Sequence, residues 1–125
     1  MAEHNEMGKW GEQLAADYLR GLGYEILALD WRFGHRDIDI VARSPKHDVV
    51  FVEVKTRSSD VITKPEQAVD IKKIRNVGIA ANAYVKQNGI ADNLRFDIIS
   101  IVGKSKETAE VEHIKDAFNP CLAYR

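Results

Sequence analysis

The sequence predicts one mixed α/β domain over residues 1–125, built as a mixed sheet flanked by two helices. Three observations predict it: two stretches with apolar residues at helical spacing, three consecutive strand-like stretches between them, and a further branched, apolar stretch after the second helix. Consecutive strands joined by short turns make an antiparallel meander, whereas a strand reached through a helix can return parallel, so the sheet should be mixed. At 125 residues, 45% apolar and 30% charged, the chain suits one hydrophobic core without disulfides or a structural metal.

Each element has its own signal. From Glu6 to Leu22, Trp10, Leu14, Ala15, Tyr18, Leu19 and Leu22 recur every three or four residues, the pattern of an amphipathic helix. Gly21 and Gly23 stop it, and Tyr24 to Trp31 reads as the first strand, followed by a turn at Gly34-His35. Asp37 to Arg43 and Val49 to Arg57 are rich in valine and isoleucine and flank the turn cluster Ser44 to Asp48, which makes them a hairpin. Pro65, a good first-turn residue, opens the second helix, which runs through Val85 and ends at Asn88-Gly89. Leu94 to Val102 is the next strand, and Glu110 to Ile114 is a short one expected to pair at an edge.

Composition excludes several classes. The lone Cys121 allows no internal disulfide, and with a polar start containing Glu3, Glu6 and Glu12 in place of a signal-peptide core, the expected location is cytoplasmic. No apolar run approaches the ~18 residues of a membrane span, so no membrane partner is expected. A net charge of -1 and a pI near 6.4 are far from a protein that coats nucleic acid by charge alone, so any such site must be local. His4, His35, His47 and His113 lack zinc-ligand spacing, and there is no glycine-rich phosphate loop.

The hairpin carries the chemistry. If its loop is Ser44 to Asp48, Arg43 faces Val49 and Asp39 comes opposite Glu53. Like charges at that spacing are destabilising unless neutralised, and a hard divalent cation, Mg²⁺ or Mn²⁺, would do so with carboxylate, carbonyl and water oxygens. Strand side chains alternate, so Lys55 shares the face of both carboxylates, where its ammonium can orient an attacking water. An exposed, salt-bridged sheet face would explain the same three residues, but Val49, Val50, Phe51, Val52 and Val54 make this strand apolar on both faces, as in the centre of a sheet.

Aspartate followed by Glu-Val-Lys at the end of an apolar strand resembles the core of the PD-(D/E)XK nuclease superfamily. The wider pattern, Gly8 to Glu12, Ala15 to Leu19, Gly23-Tyr24, Trp31-Arg32, Asp37-Ile38-Asp39-Ile40, Val52 to Arg57, Arg95-Phe96-Asp97, His113-Ile114 and Ala117-Phe118, resembles the YraN-type family of small endonuclease-fold proteins over nearly the whole chain. The resemblance implies a restriction-endonuclease-like fold and metal-dependent cleavage of nucleic acid, often likened to junction resolution. It implies Asp39 and Glu53 as metal ligands, Lys55 as the catalytic lysine and Glu12 as a first-helix glutamate near the metal. Gln67 and Lys72 then lie where a second helix adds polar groups. Asp37 stands where relatives usually carry glutamate.

On its spacing alone, Glu12 lies at the margin of the first helix's apolar stripe and reads as a surface residue. Gly11 and Gly8 are costly in a helix and can allow a strand or phosphate to come close. Arg32, His35, Arg36, Arg43 and Arg57 gather around the hairpin, and Lys64, Lys72, Lys73 and Arg75 around the second helix, as phosphate contacts or as solvated faces. Trp31 and Phe33 can stack on bases or close the core. Asp97 is expected in an ion pair with Arg95 or behind the site.

The expectation is therefore a Mg²⁺- or Mn²⁺-dependent endonuclease. Asp39, Glu53, the Val54 carbonyl and Glu12 hold the metal, and the nucleic-acid contacts come from Arg32, Arg36, Arg57, Gln67, Lys72 and Lys73. The partner is nucleic acid, DNA ahead of RNA, with a homodimer or a protein partner supplying the second site or the grip. The alternative is a nucleic-acid-binding accessory module with this fold and little activity alone.

Overall fold

The computed structural model describes residues 2–58 and 70–120, with side chains from residue 7. The elements run α1 (Ala2–Gly21), β1 (Glu25–Phe33), β2 (Arg36–Arg43), β3 (Val49–Arg57), α2 (Ile71–Asn88), β4 (Leu94–Val102) and β5 (Glu110–Ile114). The five strands form one mixed sheet in the order β1-β2-β3-β4-β5. β1 to β3 are an antiparallel meander, β4 returns parallel to β3, and β5 pairs antiparallel to β4 at the edge. The fold is the mixed α/β arrangement that the pattern predicts.

β3 is central and apolar on both faces because each face has its own helix. Val50 and Val52 pack with Ala15, Ala16 and Leu19 of α1, while the alternate residues Val49 and Phe51 pack with Val77, Ala80, Ala81 and Tyr84 of α2. Trp31 closes this second cluster, its ring 5.2 Å from that of Tyr84, whereas Phe33 stays exposed. Among the described residues no helix is long and apolar enough to cross a membrane.

The boundaries of the second helix and the first strand differ from the sequence reading. α2 begins at Ile71, not at Pro65: Asp70 is extended (φ -86°, ψ 174°), and its side chain accepts from the Lys73 N–H as an N-cap. Pro65 to Val69 lie outside the described residues. An extended Asp70 interrupts the helix predicted through it, and a local cap takes precedence over a helical apolar spacing that merely continues upstream. Gly89 in the left-handed region (φ 60°) ends α2 as expected. β1 starts and ends later than Tyr24 to Trp31, because Tyr24 turns inward to the core and the chain stays extended until Gly34 (φ 65°).

Candidate functional site

β2 and β3 pair in the expected register, from Arg43↔Val49 to Ile40↔Val52. The ladder stops there, one residue short of Asp39 and Glu53. Beyond it the Val54 N–H donates to Asp39 Oδ2 at 2.8 Å, so a carboxylate takes the place of β2's main chain as acceptor. Asp39 and Glu53 thus sit where the two central strands part, at the head of a cleft of about 720 Å³. α1 can come close because Gly11 has no side chain: a Cβ there would run into the hydroxyl and Cβ of Thr56 on β3. The space around Gly8 is open.

The cleft gathers most of the predicted residues. Glu12, Arg32, Asp39, Glu53, Val54, Lys55, Arg57 and Lys73 all line it, with Asp30 and Asp37. Arg36 instead donates to Asn76 Oδ1 at 3.3 Å, Lys72 points into solvent, and Gln67 lies outside the described residues, as does Lys64. Arg57, besides lining the cleft, donates to Ser100 Oγ at 3.4 Å.

Glu53 is only 1% exposed. Its Oε1 meets Lys73 Nζ at 3.2 Å, and its Oε2 is buried with no hydrogen-bond partner among the described residues. Lys73 Nζ also lies 3.3 Å from Asp37 Oδ1, so the ammonium bridges the two carboxylates. The counter-ion of Glu53 is therefore Lys73 on α2, and Asp39 feels first Lys73 and then Lys55 through space. Sequence reasoning placed Lys73 only among phosphate contacts. Its position in the first turn, three residues after a capping Asp70, was the available signal.

The electrostatics follow from burial. Burial, then repulsion from Asp39, pushes the Glu53 carboxyl up to about 8, with Lys73 offsetting part of the rise. Burial also raises Asp39, against the Val54 N–H that favours its charged form. Burial, with Asp39, Asp30 and Asp37 nearby, pushes Glu12 up to about 7. Asp30 belongs to this group because the flanking pairs Trp31↔Ile38 and Leu29↔Ile40 put it level with Asp39, a consequence of the tight Gly34-His35 turn. For Lys73, burial favours the neutral amine, but attraction to Glu53 and Asp37 wins and its pKa rises.

The donor set fits a hard divalent cation: carboxylate oxygens, an unpartnered buried oxygen on Glu53, and room for water. Among the described residues no three His, Cys, Asp or Glu side chains already stand as a metal cage, so Glu12 does not join Asp39 and Glu53 at ligand spacing here. Two carboxylates with several waters are enough for Mg²⁺.

On β4, Asp97 sits in a structural cluster, as the ion-pair expectation had it. It accepts from Arg95 Nε at 2.9 Å and from the Asp116 N–H at 2.9 Å, with His113 Nε2 at 2.7 Å.

The family model described as "Uncharacterised protein family UPF0102" matches residues 11–101, from α1 through most of β4. A UPF0102 protein of Bacteroides thetaiotaomicron is 48% identical over 122 residues, covering 98% of this chain and 99% of the relative. Another from Porphyromonas gingivalis is 43% identical over 126 residues, covering 100% of this chain and 92% of the relative. The span matched holds every residue of the cleft from Glu12 onward, and on the strength of that match and these relatives the chain belongs to the UPF0102 family.

Proposed function

We propose that the chain is a Mg²⁺- or Mn²⁺-dependent endonuclease of the PD-(D/E)XK type, YraN-like, that hydrolyses phosphodiester bonds in nucleic acid, DNA ahead of RNA. The observation that carries this reading is Glu53, a carboxylate 1% exposed with one oxygen unpartnered, beside Asp39 where the central strands separate. A buried, half-satisfied charge costs stability and is retained where it has a ligand to meet. Asp39 and Glu53 would hold the metal with the Val54 carbonyl, and Glu12 would reach it through water. When bound, the cation supplies charge neutralisation for the carboxylates and polarisation of a phosphoryl oxygen. Lys55, on the same strand face, orients the attacking water, and the raised Glu12 carboxyl can exchange a proton near neutrality. Arg32, Lys9 and Arg57 line the cleft where a phosphate backbone would run.

The test is cleavage of single-stranded, duplex, flapped and four-way-junction DNA and of RNA, in Mg²⁺, Mn²⁺ or EDTA, beside Glu53→Gln and Lys55→Ala. Metal-dependent cleavage lost in both variants supports the reading; cleavage that survives Glu53→Gln overturns it. A second reading, a nucleic-acid-binding accessory module, is favoured by one observation: Lys73 already neutralises Glu53, and no third metal-binding side chain converges among the described residues. DNA binding that persists in EDTA, with no cleavage in any metal, would select it.

A further inference from the structure

The carboxylates of the cleft already have a cation. Lys73 Nζ lies 3.2 Å from Glu53 Oε1 and 3.3 Å from Asp37 Oδ1, and its side chain is 31% exposed against 2% for Glu53. The ammonium is therefore held between a deep carboxylate and a shallower one, Asp37 being 35% exposed. Its backbone is fixed by the Asp70 cap, while its four-carbon stem leaves the charged end free to move. Asp39 has no ion pair to Lys73 within 4.0 Å, and Oε2 of Glu53 has no partner among the described residues, so the ammonium satisfies one oxygen of the pair and leaves the others.

We propose that Lys73 is a resident counter-ion that a divalent cation displaces: it neutralises Glu53 while the site is empty of metal and swings fully onto Asp37 when the metal arrives. This rests on the metal-site reading above and adds an exchange to it. An ammonium and a divalent cation cannot both sit against Glu53 without repulsion, and Asp37 gives the ammonium a second carboxylate within reach, so displacement does not strand a charge. Asp37 is then a positioning residue for Lys73 and not a metal ligand. The exchange lets the free protein fold without leaving an uncompensated carboxylate in its core, and it sets a threshold that the metal must exceed to bind.

The experiment is calorimetric titration of Mn²⁺ into the full chain at one fixed pH, for wild type, Lys73→Met and Lys73→Arg, with thermal unfolding in EDTA and in saturating Mn²⁺. Lys73→Met should bind Mn²⁺ at least about fivefold more tightly, the effect of one unit charge removed at roughly 4 Å from the ion in a wet site. Its loss of melting temperature should be large in EDTA and mostly recovered in Mn²⁺, and Lys73→Arg should resemble wild type. Equal affinities, with the same thermal loss in both conditions, would overturn the exchange and make Lys73 a plain structural ion pair. No Mn²⁺ binding by wild type and Lys73→Met alike would overturn the metal-site reading itself, and the exchange with it. Should Lys73→Met not fold, lysine-selective NMR of the wild type decides. An ammonium signal protected from water exchange in EDTA should be lost on adding Mg²⁺, and its persistence in Mg²⁺ would count against displacement.

Discussion

Two carboxylates lie buried on adjacent central strands, Asp97 on β4 at 0% exposure and Glu53 on β3 at 1%, and their surroundings differ in kind. Asp97 is saturated: Arg95, His113 and the Asp116 N–H all reach it. Burial would raise its pKa, but hydrogen bonds from His113 and Arg95 outweigh burial and hold it below its ordinary value. Glu53 has Lys73 on one oxygen and, among the described residues, nothing on the other, and burial with the Asp39 charge pushes it up to about 8. Depth alone does not separate a structural charge from a functional one. Hydrogen-bond satisfaction does, because a saturated carboxylate has no capacity left for a ligand.

The largest expected effect tests the saturated side. Asp97→Asn should cost about 3–5 kcal/mol, since it removes the 0%-exposed charge that Arg95 pairs with and disturbs the hydrogen bonds of His113 and the Asp116 N–H, whereas Glu53→Gln should not destabilise near neutral pH, because it replaces a buried carboxyl whose ionised form is disfavoured. Urea unfolding of the two variants side by side measures this, and equal costs would break the contrast.

Opposite pH responses sharpen it further. The folded pKa of Glu53 is raised, so its contribution to stability is fully present below 4.5 and is lost as pH rises towards 8. The folded pKa of Asp97 is lowered, so its contribution is present above 3.8 and is lost as pH falls through its folded value. Across the window from pH 4.5 to 8 the loss should be roughly 3–5 kcal/mol, and Glu53→Gln should flatten it while leaving the acid limb in place. A Glu53→Gln profile that still falls between pH 4.5 and 8 with the wild-type slope would assign that limb elsewhere.

Smaller effects probe how the cleft is framed. Gly11→Ala should destabilise by about 1–3 kcal/mol, because its methyl collides with Thr56 and pushes α1 off β3; a neutral result in thermal unfolding would show that the helix can shift freely. Glu12→Gln should weaken Mn²⁺ binding only severalfold, about 1 kcal/mol in a calorimetric titration, because it would act through water rather than as a direct ligand. A loss as complete as that of Glu53→Gln would move Glu12 into the ligand set.

The contrast between the two carboxylates was only half legible beforehand. Arg95-Phe96-Asp97 announces its own pair, because residues two apart on a strand share a face. Asp39 and Glu53 were legible through hairpin arithmetic, since the loop Ser44 to Asp48 fixes Arg43 against Val49. Lys73 was not, because its meeting with Glu53 depends on where α2 begins, and Pro65 drew the predicted start away from the Asp70 cap. His113 was not read as Asp97's partner either, because that contact depends on β5 folding back beside β4.

By itself the sequence determined β3 to β5 at their full lengths, the register of the β2–β3 hairpin and the presence of Asp39, Glu53 and Lys55 along one cleft. These are local matters, set by residue alternation and turn chemistry within a few positions of each residue. The tertiary structure alone decided that the ladder stops at Ile40↔Val52, that Asp39 caps the freed Val54 N–H, and that an ammonium from α2 neutralises Glu53. Such features depend on how separate elements converge, and a buried charge takes whichever partner the packing brings within about 4 Å, not the one nearest in sequence.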